Sequence, residues 1–306
     1  SFVPSHDEAK QTLLSTTEMG TYYIAVPAGT PITVHDGEKT IKSTSKGLTA
    51  GKYYEITVVP EGALPGKFSV SDNRVVYFSK GNLYCSGAKF HDNGNVQSLA
   101  DATWGFETNQ YDMTPSENGD RNISHISHFM WCNSAEEAME LRYGGLMWHA
   151  SFFAEKEFLV GGVNTWSTLT IDEWRYLLKT RTMIYDAPRY TIKTSGITIG
   201  GINYCGLFIY PDDYDGKEVG DESETWTWRN INDAGIVFLP AAGYRAGFNG
   251  STHIDDVGSC GYYWSASSLG NDDFAFGLNF GYGDIAPNAT DDRGRARSVR
   301  LVTDCE

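Results

Sequence analysis

Three places in the sequence gather enough side-chain oxygen to hold a hard cation. They are Asp212, Asp213 and Asp215 in one short stretch, the pair Asp255 and Asp256, and the run Asn271, Asp272 and Asp273. Loops of this kind are what Ca²⁺ uses. None has the EF-hand spacing. With 39 acidic against 24 basic residues, a formal charge of −15, a solvated acidic turn is the favoured reading at each. His125 and His128 stand three apart, His149 is the next nearest, and no HExxH occurs, so the histidines spell no zinc constellation. The five cysteines, Cys85, Cys132, Cys205, Cys260 and Cys305, are too dispersed for CxxC redox or zinc-ribbon spacing. An odd count leaves at least one thiol unpaired in a monomer, and both free thiols and one or two disulfides stay open. GxSxG, the P-loop and GxGxxG are absent. No catalytic residue is assigned and no cofactor is expected, with Ca²⁺ the one ion the acidic turns leave open.

The remaining chemistry is that of recognition. Tyr, Trp, Arg and Asn crowd the last third of the chain, and these residues give binding surfaces rigid amphipathic area and adaptable hydrogen bonds. The ligand-contact candidates are Tyr244, Arg245, Phe248, Asn249, Asn271, Asp272, Tyr282, Asn288 and Arg293, placed on loops at 244–256, 268–273 and 282–295. Alternation along strands means that Tyr263, Phe274, Phe276, Leu278 and Phe280 cannot all face solvent. Trp264, Val299 and Leu301 are expected in the core, with Arg300 paired.

The elements that must carry these residues are mostly strands. Aromatics at 13% together with 33 Gly suit many short strands joined by turns. Alternating apolar runs occupy 21–26, 31–34, 39–44 and 53–58, and Asp36-Gly37 marks a hairpin between the second and third. Two Pro and two Gly in 59–66 (VPEGALPG) mark a linker. Further strands are expected at 68–70, 75–78, 191–193, 196–199, 207–210, 236–240, 261–265, 274–280 and 298–302. Helices are expected at 133–141 and 170–181. In the latter, Thr170 with Glu173 forms a capping box, Ile171, Trp174, Leu177 and Leu178 make one apolar stripe, and Lys179 and Arg181 close the last turn. No run of about 18 apolar residues exists to span a membrane, and the negative charge opposes a phosphate backbone, so nucleic acid is not an expected partner.

Four segments of the last third, 235–245 (GIVFLPAAGYR), 257–267 (VGSCGYYWSAS), 274–280 (FAFGLNF) and 297–302 (RSVRLV), resemble secreted Bacteroidetes proteins of C-type-lectin-like fold, the group of the Fibrobacter major paralogous domain. The similarity continues upstream through 76–83 (VYFSKGNL), 104–107 (WGFE) and 169–178 (LTIDEWRYLL), and so spans about 64–304. Residues 21–29 (TYYIAVPAG) and 47–58 (GLTAGKYYEITV) resemble part of a fimbrillin-type β-sandwich of pilus subunits. The resemblance implies a mainly β chain with few helices (α+β). A small β-sandwich-like domain would occupy residues 1–62 and a C-type-lectin-like domain residues 63–306. It implies a non-enzymatic adhesin at a bacterial cell surface, at a pilus tip in one version, that binds an extracellular glycan or protein. Other pilus subunits would join it by strand exchange. A structural assembly subunit is the first alternative. A modifying enzyme resembling formylglycine-generating enzymes is the second, and it would need two cysteines, for which Cys205 and Cys260 are available. The calcium and sugar triplets of C-type lectins are missing from this sequence.

Overall fold

A computed structural model describes residues 2–4, 29, 31–36, 39–43, 47, 49, 59–87, 89–90, 96–98, 101, 103–113, 125–131, 147–148, 166–181, 188–245, 254–270 and 273–305. The chain is mainly β, built from several antiparallel sheets, and divides into two compact units at Val58 and Val59. Among the described residues no helix is long and apolar enough to cross a membrane.

The first unit contains a three-stranded antiparallel sheet, β1 (Phe2–Pro4), β2 (Ile32–Asp36) and β3 (Lys39–Ser43), in the order β1-β2-β3. Asp36 pairs with Lys39, so two residues close the hairpin at the Asp-Gly signal. The strands expected at 21–26 and 53–58 lie outside the described residues, as does the helix expected at 133–141.

The second unit opens with β4 (Ala63–Ser71) and β5 (Arg74–Ser79). The linker expected over 59–66 is therefore only half a linker. Ala63 N–H closes a turn onto the Pro60 carbonyl at 3.0 Å, and the chain then runs as strand through Pro65 and Gly66, with a bulge before Lys67. Pro65 is tolerated there because the bulge removes the ladder bond it cannot make. Small strands follow: β6 (Leu83–Ser86), β7 (Lys89–Phe90), β8 (Val96–Ser98), β9 (Thr103–Phe106), β10 (His125–Ile126), β11 (Met130–Trp131) and β12 (Met147–Trp148).

Helix α1 (Ile171–Arg175) starts on the Thr170–Glu173 capping box and continues as a π-helical turn, 176–180. The wider turn lets Leu177 and Leu178 both enter the core beside Ile171 and Trp174. Arg181 closes the helix end as expected, its N–H donating to the Tyr176 carbonyl at 3.2 Å and its Nε to the Leu177 carbonyl at 3.1 Å. It is extended, buried, and ion-paired with Asp212, whose other oxygen accepts from Ser69 N–H and Oγ–H, both at 2.7 Å. That Asp212 carboxylate, one of the candidate cation ligands, is committed to holding the helix end.

Strands β13 (Tyr190–Ile199), β14 (Ile202–Ile209) and β15 (Val237–Pro240) form a sheet with core on both faces. Leu207, Ile209, Val237 and Leu239 join Trp174, Phe68 and Phe78 on one side. Phe208, Tyr210, Ile236 and Phe238 join Ile231 on the other. This is why these runs are continuously apolar and do not alternate, each large side chain contributing about 1.5–3 kcal/mol by burial. Ile231 comes from α2 (Trp228–Asp233), capped reciprocally by Thr227 and Asn230. The Thr-x-x-Asn signal for this short helix is present in the sequence and was not among the expected elements. Beyond it lie β16 (Tyr244–Arg245), β17 (Ile254–Asp255), β18 (Cys260–Ser268), β19 (Phe274–Gly281), β20 (Asp284–Asp292) and β21 (Val302–Asp304). The strand expected at 298–302 begins only at Val302. Residues 296–301 instead make single bridges and backbone bonds to several neighbours, including Leu83, Ser79 and Tyr262.

Arg300, fully buried, is the hub of this segment. Its Nε donates to Asn82 Oδ1 at 3.1 Å, Nη1 to the Ser79 carbonyl at 2.9 Å, and Nη2 to the Phe238 carbonyl at 2.7 Å and the Gln110 carbonyl at 3.4 Å. Burial lowers its pKa to about 10. The expected pairing is thus met by neutral oxygens. Replacing Arg300 with Met leaves these buried acceptors without a donor. The variant should lose more than about 3 kcal/mol of unfolding free energy in urea, and a loss below about 1 kcal/mol would show that the network is not fixed.

Candidate functional site

The site grows out of the β18-β19-β20 meander. Tyr263, Leu278, Phe280 and Ile285 point from these strands into the core. Tyr262 sits opposite Asn279, and Trp264 opposite Gly277. The segment after β20 places an arginine at every second position, and four rings receive them. The guanidinium of Arg293 lies 5.3 Å from the Trp131 ring centroid and that of Arg295 lies 5.1 Å from Tyr244. Arg297 lies 5.3 Å from Tyr262 and 4.5 Å from Trp264. Arg293 and Arg295 leave a turn that follows β20, closed by Arg295 N–H onto the Asp292 carbonyl at 3.1 Å, and Arg297 sits on the bridge to Phe129. A cation over an aromatic face is attracted by the ring quadrupole. Backbone bonds hold the arm in register, Arg245 with Ala296 in both directions (2.8 and 2.9 Å) and Phe129 with Arg297 likewise (2.8 and 2.9 Å). Gly277 makes room for it, since a Cβ there would stand 3.0 Å from Arg297 Nη1 and 2.6 Å from the Tyr263 carbonyl oxygen.

The cluster is unusual for its cations. Arg297 is fully buried, ion-paired with Asp291, and donates from Nη1 to Asn279 Oδ1 at 3.1 Å. Burial pulls its pKa down and Asp291 opposes that. Arg295, with 41% of its side chain exposed, shares the same carboxylate at 3.3 Å. Tyr262 donates its hydroxyl to Asp256 Oδ2 at 2.7 Å, and burial, then that bond, raise its pKa. Tyr244 meets Tyr262 edge-to-face at 5.1 Å. Arg245 is half-buried, and burial lowers its pKa. His128, on the connection between β10 and β11, is fully buried. Its Nε2–H donates to the Ala242 carbonyl at 3.1 Å, and Nδ1 has no hydrogen-bond partner among the described residues. Burial first, and then the Arg245 charge, lower its pKa to about 4.

The structure brings Tyr244, Arg245 and Arg293 together with Asp256, expected as an oxygen ligand for a cation, and with Tyr262, and adds Arg295, Arg297, Asp291 and Trp131, which the sequence did not single out. The signal that could have found them is the alternating arginine run at 293–297 in a strongly acidic chain. Residues 282–295, expected as a contact loop, are mostly strand β20, and Asn288 lies exposed on it. Tyr282 forms, with Gly283, the two-residue tip of the β19-β20 hairpin, at φ 51° and 83° respectively. Its ring is 82% exposed. Phe248, Asn249, Asn271 and Asp272 lie outside the described residues. The tip at Tyr282 adjoins Cys260 and Asp284, whereas Leu269 and Gly270 follow Ser268 and Asp273 precedes Phe274, the residue opposite Asp292. The two segments therefore stand at opposite ends of the same strands, roughly 24 Å apart at about 3.4 Å per residue.

Among the described residues no group of three or more His, Cys, Asp or Glu side chains could hold a metal ion. Cys85, Cys205, Cys260 and Cys305 are free thiols, and Cys132 lies outside the described residues. Burial pushes the Cys85 thiol up to about 12 and raises Cys205 and Cys305 as well, which holds these sulfurs in the unreactive thiol form. No protein-family model, curated protein or solved structure matches the chain.

Two outcomes follow from these environments. His128 is neutral in the folded chain, so below its ordinary value of 6.5 the unfolded chain takes up a proton that the folded chain refuses. Stability should fall as pH drops from 6.5 to about 4, by on the order of 3 kcal/mol. Urea midpoints across that window should flatten in His128→Gln, and an unchanged slope would exclude His128 as the source. At the hairpin tip a left-handed backbone favours Asn over Tyr. Tyr282→Asn should gain up to about 1 kcal/mol in the same measurement, and a loss would show that the ring is packed after all.

Proposed function

We propose that the chain is a non-enzymatic recognition protein of a bacterial cell surface, an adhesin that captures an extracellular glycan or protein. In this reading residues 63–306 form a C-type-lectin-like domain and residues 1–62 a fimbrillin-like one. The observation that carries it is Tyr282. The two-residue turn requires a positive φ at this position, and the chain places there a large ring held in water where Asn or Gly would fit at lower cost; backbone outliers of this kind cluster at ligand-contact positions. The arginine-and-tyrosine face supports it, because stacked, preformed cation and aromatic groups lose little freedom on binding. Surface Tyr and Arg are also the commonest anchors of binding energy.

A second reading, a pilus or envelope subunit that only assembles, draws on one feature. β1 joins the β2-β3 hairpin edge after a long connection, and a short strand added in this way can be exchanged between chains.

Purified chain should be captured by a subset of glycans or extracellular proteins on arrays. Tyr282→Ala, with an unchanged circular-dichroism spectrum, should lose at least about tenfold in capture. Equal capture by the variant rejects the tip as a contact, and a wild-type chain that captures nothing but elutes as an oligomer favours the assembly reading.

A further inference from the structure

Of the arginines gathered by the 244–245 and 293–297 segments, Arg295 and Arg297 each lie over an aromatic ring and share the Asp291 carboxylate. Arg293 lies over Trp131. Arg245 differs. Its backbone is fixed on both sides, to Ala296 by hydrogen bonds and to Ile254 as strand partner. Its strand neighbours Ile254 and Ala296 are buried and apolar. Its charge is felt by the buried ring of His128. Among the described residues no carboxylate, carbonyl or ring is paired with its guanidinium. Arg245 is half-buried and none of its guanidinium nitrogens is among the buried unsatisfied atoms, so its donors face water and stay available to a ligand arriving from solvent.

We propose that Arg245 is the anchor for the carboxylate of a bound sugar acid. The inference rests on the recognition reading above and names the class of ligand within it. A guanidinium presents a planar fork that matches a carboxylate in a bidentate pair. The surroundings select among carboxylates. Asp255, Asp256 and Asp291 flank Tyr244, and the chain carries −15 overall. A polyacidic peptide would meet repulsion at every residue but one. A sugar acid brings a single negative charge among hydroxyls that can donate to those same carboxylates, with an apolar ring face for Tyr244. Charge arithmetic of this kind governs specificity more than raw affinity.

The test is calorimetric titration of the full chain with sodium glucuronate, glucose and N-acetylglutamate, at ionic strength matched by sodium chloride, for wild type, Arg245→Gln and Arg245→Lys. Glucuronate should bind at least about tenfold more tightly than glucose. Arg245→Gln should abolish that preference, and Arg245→Lys, which lacks the fork, should restore only part of it. Proton NMR gives an independent readout, because an anion on Arg245 removes the charge that depresses His128. The His128 titration should therefore move upward on adding glucuronate in wild type and stay still in Arg245→Gln. Melting of Arg245→Met without ligand separates a binding role from a structural one. An unchanged or higher melting temperature supports the anchor, and a lower one overturns it. Equal binding of glucose and glucuronate overturns it too, yet leaves the recognition reading intact if Tyr282→Ala still loses capture. Tight binding of N-acetylglutamate but not glucuronate overturns the sugar-acid assignment in favour of a peptide carboxylate.

Discussion

The second unit depends on one buried cation. Arg300 lies at its centre, has no ion-pair partner among the described residues and is solvated by oxygens from Ser79, Asn82, Gln110 and Phe238. Each of those oxygens belongs to a different piece of structure, and the network extends outward from them. Gln110 accepts from Phe238 N–H at 2.6 Å and donates to the Ile236 carbonyl at 2.9 Å, so one amide substitutes for a strand alongside β15. Asn82 donates to the Tyr263 hydroxyl at 3.3 Å, which in turn donates to the Pro240 carbonyl at 3.0 Å. A polar network this deep is costly unless every member is satisfied. Its completeness fixes β5, β15 and β18 relative to one another more sharply than apolar contact would.

The arginine-and-tyrosine face inherits that rigidity. Tyr262 and Tyr263 are neighbours on β18 and point to opposite sides, one into the cation cluster and the other into the Arg300 network. Any shift of β18 would disturb both. Two clusters built on guanidinium chemistry thus share one strand. The outer differs from the inner in having carboxylates, Asp291 and Asp256, where the inner has neutral oxygens. The outer cluster is consequently the one that salt and pH can modulate.

What the sequence made legible follows from how local each signal is. The capped helix at Thr170, the Asp-Gly hairpin and the apolar runs at 207–210 and 236–240 rest on neighbours within a few positions, and all four stand in the structure. The burial of Trp264, Val299 and Leu301 was likewise readable from pattern. Strand β20 was not. Its sequence, DIAPNATDD, carries Pro and Asn and few β-formers, and it is a strand because β19 offers it a ladder across a two-residue turn. The π-helical turn was hidden for a related reason, since Arg181, which bonds the Tyr176 and Leu177 carbonyls at its end, is also held by Asp212 from a distant segment. Tyr244, Arg245 and Arg293 could be chosen by residue type. Their assembly with Arg295, Arg297 and Tyr262 depends on pairing between segments some fifty residues apart, which no local rule encodes.

The segment from Ala296 to Val302 threads between Phe129, Arg245, Tyr263, Leu83 and Ser167, bonding with each in turn. A ribosome that has made everything up to β20 has therefore produced strands whose shared partner does not yet exist. The second unit must wait in a loosely collapsed form until its last dozen residues emerge, and contacts so distant along the chain make the closing step slow. Nascent chains will be exposed to proteases and chaperones for the whole of that interval. Deleting residues 293–302 would remove, in ten residues, the partner that all of these strands share.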